Sequence, residues 1–324
     1  EGIAHNARDV DFAMRWGFGW TQGPFETWQA AGWKVIAEAV RDDIAAGKAM
    51  SDAPLPAWVF ERDGVHAADG SYSASANTLQ PRSTLPVYQR QIFPERVLAE
   101  KAVQGETIWE NAGVRLWKLP QLDNEIGILS FTTKMHALGR DVIVGVQEAI
   151  ALAEKQLKGV VVWHEAPFAV GANLKEVAEG LAAGKFDLLD EYVGEFQKAS
   201  MTFKYAKVPV IAAVQGMALG GGCEFLMHAA KRVMAPESYV GLVEAGVGLI
   251  PAGGGCKEFA IRAAQNAAKT AGGDIFEFIQ PVFMTIAMAN VSKSGAEAVE
   301  LGFARETDRI VFNANELLYI AIKE

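Results

Sequence analysis

Cysteine is scarce in this chain. Only Cys223 and Cys256 occur among 324 residues, and they lack the spacing of metal ligands. That excludes a disulfide framework and suits a reducing compartment. Long apolar runs are missing too: none reaches the roughly 18 residues that a membrane-spanning helix needs. No signal peptide stands at the start, residue 1 is Glu rather than Met, and the first residues already read as helix. The expectation is a piece of a longer, cytoplasmic protein with no membrane contact. Positive charge is in deficit, with 30 Lys and Arg against 39 Asp and Glu and a net charge of −9. This argues against nucleic acid as a partner. Hydrophobic residues make up 50 % of the chain, enough for a large core divided over about two domains.

Three regions differ in pattern. Residues 1–48 read as a helical segment, Asp9 to Trp16 and then Phe25 to Ala46, broken by Gly17-Phe-Gly-Trp-Thr-Gln-Gly-Pro24. Four of the eight tryptophans fall here, too many for so short a segment to bury alone. Residues 49–107 read as a Pro-rich linker carrying one small hairpin, whose turn is expected at Asp63-Gly64. From 108 to 324 the pattern is α/β. Strands are expected at Val114–Trp117, Glu125–Phe131, Gly159–His164 and Val210–Val214, with a strand end or loop at Val240–Gly246. Helices are expected over 141–158, 187–206 and 256–268. Such alternation predicts a mostly parallel sheet covered on both faces.

The most informative stretch is Gly216-Met-Ala-Leu-Gly-Gly-Gly-Cys-Glu224, which follows the apolar run Val208 to Val214. A buried strand delivers the backbone to three glycines, and an apolar helix begins at once. Glycines allow another group to approach the main chain closely. The helix N-terminus adds free N–H groups and a positive dipole end, and Glu224 lies in its first turn. Donors for a developing negative charge beside an acid/base group suit chemistry on a carbonyl. A second small, glycine-containing loop, Phe168-Ala-Val-Gly-Ala-Asn-Leu-Lys175, follows the strand ending at His164. Two such loops place two backbone N–H groups around one oxygen. With Glu224 and a second carboxylate, Glu244, they suit enolate chemistry. Each feature alone is weak, because Gly-rich turns at strand ends are common and a helical Glu is usually just solvated.

In their order and spacing, three stretches resemble the crotonase (enoyl-CoA hydratase) superfamily. They are Phe168 to Leu174, Val208 to Glu224, and Val243-Glu-Ala-Gly-Val-Gly-Leu-Ile-Pro-Ala-Gly-Gly-Gly255. The likeness runs from about residue 114 to 315. It implies an α/β fold with a crotonase-like ββα spiral core, preceded here by the short all-α segment and the Pro-rich linker with its hairpin. It implies an acyl-CoA thioester substrate and an oxyanion hole made by the N–H groups of Ala172 and Gly221. It implies that Glu224 positions and deprotonates water while Glu244 supplies the α-proton. Val170, Asn173, Leu174, Lys134 and Lys175 are the expected coenzyme A contacts. Against that, exposed solvated lysines are the plain alternative for Lys134 and Lys175. No metal and no cofactor of its own is implied for this chain. The resemblance further implies a homo-oligomer and thiolase as a partner.

The match is not perfect. Asn173 stands where the family usually has Asp, the stretch from Ala172 to Glu224 is several residues long, and residues 266–290 are expanded; either insertion reshapes the acyl tunnel. His136, His164 and His228 share no metal spacing and read as structural. Residues 11–26, Asp-Phe-Ala-Met-Arg-Trp-Gly-Phe-Gly-Trp-Thr-Gln-Gly-Pro-Phe-Glu, resemble part of the C-terminal domain of 3-hydroxyacyl-CoA dehydrogenases. Gly17-Phe-Gly19 is no dinucleotide fingerprint, as no strand precedes it. Both halves together imply the C-terminal part of a bifunctional β-oxidation dehydrogenase/hydratase, with NAD expected only for a dehydrogenase domain that this chain lacks. Enoyl-CoA hydration leads. Enoyl-CoA isomerisation and a non-catalytic acyl-CoA-binding or assembly module are the alternatives.

Overall fold

The computed structural model describes residues 3–324, in two compact units, residues 3–103 and 104–324. The first unit opens with helix α1 (Ala7–Phe18), capped by the Asn6 side chain, which accepts from the N–H of Arg8 at 3.0 Å, and ended by Gly19 at φ 69°. The next two helices, α2 (Pro24–Ala30) and α3 (Trp33–Ala45), replace the single helix expected over Phe25–Ala46. The break falls at Gly32, whose φ of 102° no helix accommodates. Buried Trp33 stacks between Trp28, at 4.3 Å, and Trp58, at 6.2 Å, on Val59, Val65 and Tyr72. Emptying the Trp33 site would cost roughly 3–5 kcal/mol.

The stretch that reads as a linker is therefore part of this core. It holds strands β1 (His66–Ala67), β2 (Gly70–Ser73) and β3 (Thr78–Gln80) in an antiparallel sheet, then the short helix α4 (Pro86–Gln89). Ala67 pairs with Gly70, so the hairpin turns at Ala68-Asp69 and not at Asp63-Gly64. Trp58 and Val59 lie in a 3-10 turn, where the large rings find the aromatic cluster, so no strand runs into Asp63.

The second unit is built on a seven-stranded sheet. Strands β4 (Glu106–Glu110), β5 (Val114–Leu119) and β6 (Asp123–Phe131) form an antiparallel meander. From β6 the sheet runs parallel through β7 (Gly159–Val162), β8 (Val210–Leu219), β9 (Lys231–Gly241) and β10 (Arg309–Ile310). Helix α5 (Arg140–Gln156) connects β6 to β7. Helices α6 (Leu174–Ala182) and α7 (Phe186–Tyr205) connect β7 to β8, and α8 (Gly221–His228) connects β8 to β9. Helices α9 (Gly255–Lys269), α10 (Ile275–Ala287) and α11 (Gly295–Glu300) lie between β9 and β10, and α12 (Leu317–Lys323) ends the chain. The extra residues around 266–290 form the end of α9 and helix α10.

This is a mixed α/β fold. Strand β8 is longer than its apolar run, because Gly216-Met-Ala-Leu219 stays paired with Ser238–Gly241 of β9. The expected strand end at 240–246 closes with β9 at Gly241, and Glu244–Val247 form a 3-10 turn. Among the described residues no helix is long and apolar enough to cross a membrane.

Candidate active site

In an open parallel sheet the carboxyl ends of the strands face the crevice where ligands bind. The segments that follow β7, β8 and β9 meet at this end. After β7, the loop Phe168–Asn173 zips onto neighbouring backbone: Ala169 N–H donates to Met217 O at 3.0 Å, and Leu219 N–H donates to Ala169 O at 2.9 Å. Leu138 N–H donates to Gly171 O at 2.8 Å, and Asn173 N–H donates to Leu138 O at 3.1 Å. This pattern uses the groups on either side of Ala172 and leaves its N–H without a hydrogen bond among the described residues. Gly221 opens α8, so its N–H has no acceptor within the helix either. The two loops are close: a Cβ on Gly171 would lie 3.7 Å from Gly221 N. The residues expected to form the oxyanion hole, Ala172 and Gly221, are thus brought together.

The two carboxylates are close enough for the charge of Glu244 to act on Glu224. Glu224 lies one turn into α8 and is 3 % exposed. Its Oε1 accepts from Gly255 N–H at 2.9 Å. A Cβ on Gly253 would stand 2.4 Å from its Oε2. Glu244 comes from the turn after β9. Its Oε1 lies 3.3 Å from where a Cβ on Gly220 would be, and the Gly171 Cα lies 3.8 Å from that same point. Gly220 has φ 52° and ψ −122°, a conformation closed to residues with side chains. Here the glycines provide both the turn and the close approach.

Burial pushes the Glu224 carboxyl up to about 8, and the charge of Glu244 adds to the effect. Burial also raises Glu244, to about 7. Its Oε2 is enclosed without a hydrogen-bond partner. Paired carboxyls raised toward neutrality can exchange protons near neutral pH, and two unpaired backbone N–H groups this close can stabilise an oxyanion.

The expected coenzyme A contacts are less tightly held. Lys134 and Lys175 are both exposed, and Lys175 Nζ lies 3.8 Å from Glu179. Asn173 caps α6, accepting from Lys175 N–H and donating to Glu176 at 2.7 Å, so its amide does serve the loop. Val170 is half-buried and Leu174 is exposed. Cys223 is buried behind Glu224, and Cys256 is exposed.

Several residues at the site carry no sequence signal of their own. Helix α7, from the long connection, places Tyr192 and Phe196 one turn apart. Tyr192 Oη donates to Leu138 O at 2.7 Å, steadying the loop beside Ala172. Phe196 packs against Gly221 and Gly253, where a Cβ would meet its ring at 2.6 and 2.3 Å. A cavity of about 260 Å³ opens nearby, lined by Arg140, Glu176, Val177, Leu188, Leu189 and Tyr192. Their 3.6-residue pattern shows α7 as a helix but not what its buried face touches.

The three histidines are placed among structural partners. His164 is buried, its ring 3.9 Å from that of His136, and its Nε2 bonds the Phe168 carbonyl at 2.6 Å. Burial, with His136 beside it, pulls His164 down to about 3. Among the described residues no group of three potential ligands is placed to hold a metal ion.

Residues 129–271 match the family model described as Enoyl-CoA hydratase/isomerase. Among curated proteins, the "Probable 3-hydroxyacyl-CoA dehydrogenase" of Bacillus subtilis (strain 168) is 35 % identical, over 98 % of this chain and 38 % of that protein. The "Fatty acid oxidation complex subunit alpha" of Acinetobacter baumannii (strain AYE) is 34 % identical, over 33 % of this chain and 15 % of its own length. The chain thus spans about two fifths or less of these relatives. Among solved structures, an enoyl-CoA hydratase from Polaromonas sp. JS666 has the same fold, with a TM-score of 0.53 and 20 % identity over 65 % of this chain and 74 % of that one. Residues 129–271 thus match the enoyl-CoA hydratase/isomerase family, on a fold that the chain shares with a solved enoyl-CoA hydratase.

Proposed function

We propose that this domain is an enoyl-CoA hydratase that adds water across the 2,3 double bond of a 2-enoyl-CoA thioester. The observation that carries the reading is the buried pair Glu224 and Glu244: Glu244 Oε1 lies against the Gly171 and Gly220 turns beside the free N–H groups of Ala172 and Gly221, and its charge acts on Glu224. In this reading the thioester oxygen sits between those two N–H groups. As the water oxygen bonds to the β-carbon, the π electrons move toward the α-carbon and charge builds on the thioester oxygen. Losing one such donor typically costs roughly 3–4 kcal/mol of transition-state stabilisation. Water yields one proton to a carboxylate, and a carboxylic acid gives one to the α-carbon. The thioester stays intact and the pair ends with as many protons as it began.

The two carboxyls differ in environment. Glu224 accepts the Gly255 N–H, which favours its anion. Glu244 has an enclosed oxygen without a donor, which favours its neutral form. When Glu244 holds the proton, its charge no longer opposes ionisation of Glu224. The raised affinities, about 8 at Glu224 and about 7 at Glu244, run against that order at rest, so it is the family likeness that assigns Glu224 as the base toward water and Glu244 as the acid toward the α-carbon, within one coupled pair that shares a single proton. The exposed Lys134 and Lys175 are assigned to the phosphates of coenzyme A, as mobile point charges. Val170, Asn173 and Leu174 line the same path. Membership of a longer β-oxidation protein, a homo-oligomeric state and association with a thiolase belong to this reading.

The test is crotonyl-CoA hydration, followed by loss of the enoyl-thioester absorbance, in the wild type, Glu224→Gln and Glu244→Gln. We expect turnover that falls on the order of 10²-fold or more in either variant while crotonyl-CoA still binds. Conversion of a 3-enoyl-CoA to the 2-enoyl isomer without hydration would replace this reading by an isomerase. Binding without any turnover would replace it by an acyl-CoA-binding module.

A further inference from the structure

His228 lies four residues after Glu224 on α8, so the two side chains share one face of that helix. It is 2 % exposed. Its Nδ1–H donates to the Glu224 carbonyl at 2.7 Å, and its Nε2 accepts from Lys257 Nζ at 2.8 Å. This neutral tautomer is the one the surroundings demand. Burial lowers the imidazole to about 4 even though the Glu224 carbonyl favours a proton, and Lys257 opposes a second proton more than Glu258 favours one.

The other side of the ring touches the loop that holds Glu224. A Cβ on Gly254 would lie 2.6 Å from His228 Cε1. Gly254 also has φ 125°, so glycine is required there twice over. Gly253, Gly254 and Gly255 present their N–H groups toward the Glu224 carboxylate, at 2.9 Å from Gly255 to Oε1. Lys257 follows two residues later in the first turn of α9. Its ammonium also lies 3.0 Å from Glu258 Oε1, and Glu258, 1 % exposed, is paired in turn with Lys204 on α7. The N–H cradle of Glu224 is thus tied back onto the helix that carries Glu224 itself.

We propose that His228 and Lys257 form a latch that holds the Gly253–Gly255 loop against α8 and so positions the Glu224 carboxylate for proton transfer. This rests on the hydratase reading for the reaction, but not for the geometry. The groups facing the pair are Glu244 from the turn after β9, Cys256, Lys257 and Glu258 from α9, and Lys204 from α7. None of them replaces the lost link when Lys257 or His228 is cut. With the latch open, the loop donors drift from Glu224 and the carboxyl binds its proton more tightly. His228 acts through Glu224, as a positioning residue.

The experiment compares the wild type with Lys257→Met, His228→Leu, His228→Asn and the double variant Lys257→Met/His228→Leu. Lys257 is partly exposed, so its variant tests the latch even where a core substitution at 228 fails to fold. Two quantities are read: the pH profile of crotonyl-CoA hydration, and the titration midpoint of the Glu224 carboxyl by ¹³C NMR, assigned with Glu224→Gln. We expect the midpoint and the acidic limb of kcat to move upward together. At pH 7 kcat should fall roughly tenfold with KM within about twofold. Asn keeps the donor to the Glu224 carbonyl and should restore part of the loss. The two cuts should be non-additive, since either one opens the same link. An unmoved midpoint, or a kcat lowered equally at every pH, would overturn the proposal. If the wild type hydrates nothing, the functional reading fails, and the NMR midpoint still decides the latch.

Discussion

Replacing Glu224 by Gln should cut turnover on the order of 10²-fold or more and make the protein more stable, with a gain that depends on pH in a defined way. Buried Glu224 releases its proton only near pH 8, whereas its unperturbed value is 4.5. The folded state therefore holds that proton more tightly than the unfolded chain. The stability this contributes is complete below pH 4.5 and is lost as pH rises through 8. At pH 7 the loss is about 3 kcal/mol, and above pH 8 it levels off near about 5 kcal/mol. Gln cannot ionise, so the variant escapes this loss. Its amide also faces the Gly253–Gly255 N–H groups less well than a carboxylate does, which adds a constant penalty independent of pH. The informative quantity is thus the slope of the stability difference with pH. Urea unfolding from pH 4 to 8.5, read by amide exchange of the buried strand β8, measures it for residues 104–324. At pH 7 the gain corresponds to roughly 6–12 °C in Tm before the constant penalty is subtracted. Parallel wild-type and variant curves across this range would refute the burial argument. So would a variant that loses stability toward pH 8.

The pH dependence of kcat/KM should be a bell with limbs near 7 and 8, because the active form holds one proton between Glu224 and Glu244; from pH 7.5 to 5.5 the rate should fall roughly twentyfold, and a flat profile would exclude the pair. Gly220→Ala puts a side chain at φ 52° and 3.3 Å from Glu244 Oε1, so activity should collapse and stability drop by about 1–3 kcal/mol, as measured by turnover and urea melts. Lys134→Ala and Lys175→Ala should each raise KM for crotonyl-CoA several-fold at low salt, with the effect shrinking at high salt and absent for a pantetheine thioester. Asp11→Ala strips the buried His66 Nε2 of its partner, at 2.5 Å, and removes the acceptor for the N–H groups of Phe25 and Glu26; the loss of three buried hydrogen bonds, roughly 3–5 kcal/mol, should appear as faster proteolysis within residues 3–103, leaving hydration unchanged.

Much of the site is written locally. Gly220 and Gly221 must sit where backbone turns sharply after an apolar strand, and the run from Val208 to Glu224 says so without any tertiary information. The strands at 125–131 and 159–164 and the helices over 141–158, 187–206 and 256–268 are legible because each buries one periodic apolar face. Strand β9 is legible only at its end, since Lys231-Arg232 and Glu237-Ser238 interrupt its apolar pattern. Arg232 is buried all the same, because Asp308 and the Ala229 carbonyl satisfy its guanidinium. The Pro-rich stretch misleads for a related reason. Its composition suits a linker, yet Trp58, Val65 and Tyr72 gain more by packing on Trp33 than the chain loses by being ordered.

What the sequence alone determined is which residues have the chemistry. Two carboxylates, two glycine turns and an α/β alternation follow from residue types and spacing, because turns, helix starts and apolar periodicity are short-range. What only the tertiary structure decided is what those groups meet. Glu224 and Glu244 are twenty residues apart and become a pair because β8 and β9 are neighbours whose carboxyl ends open on one crevice. Their raised affinity for protons is a property of burial and mutual charge, and neither exists in an isolated segment. The contacts of Tyr192, Phe196 and His228 were equally out of reach, since a helix pattern shows which face is buried but not which partner buries it.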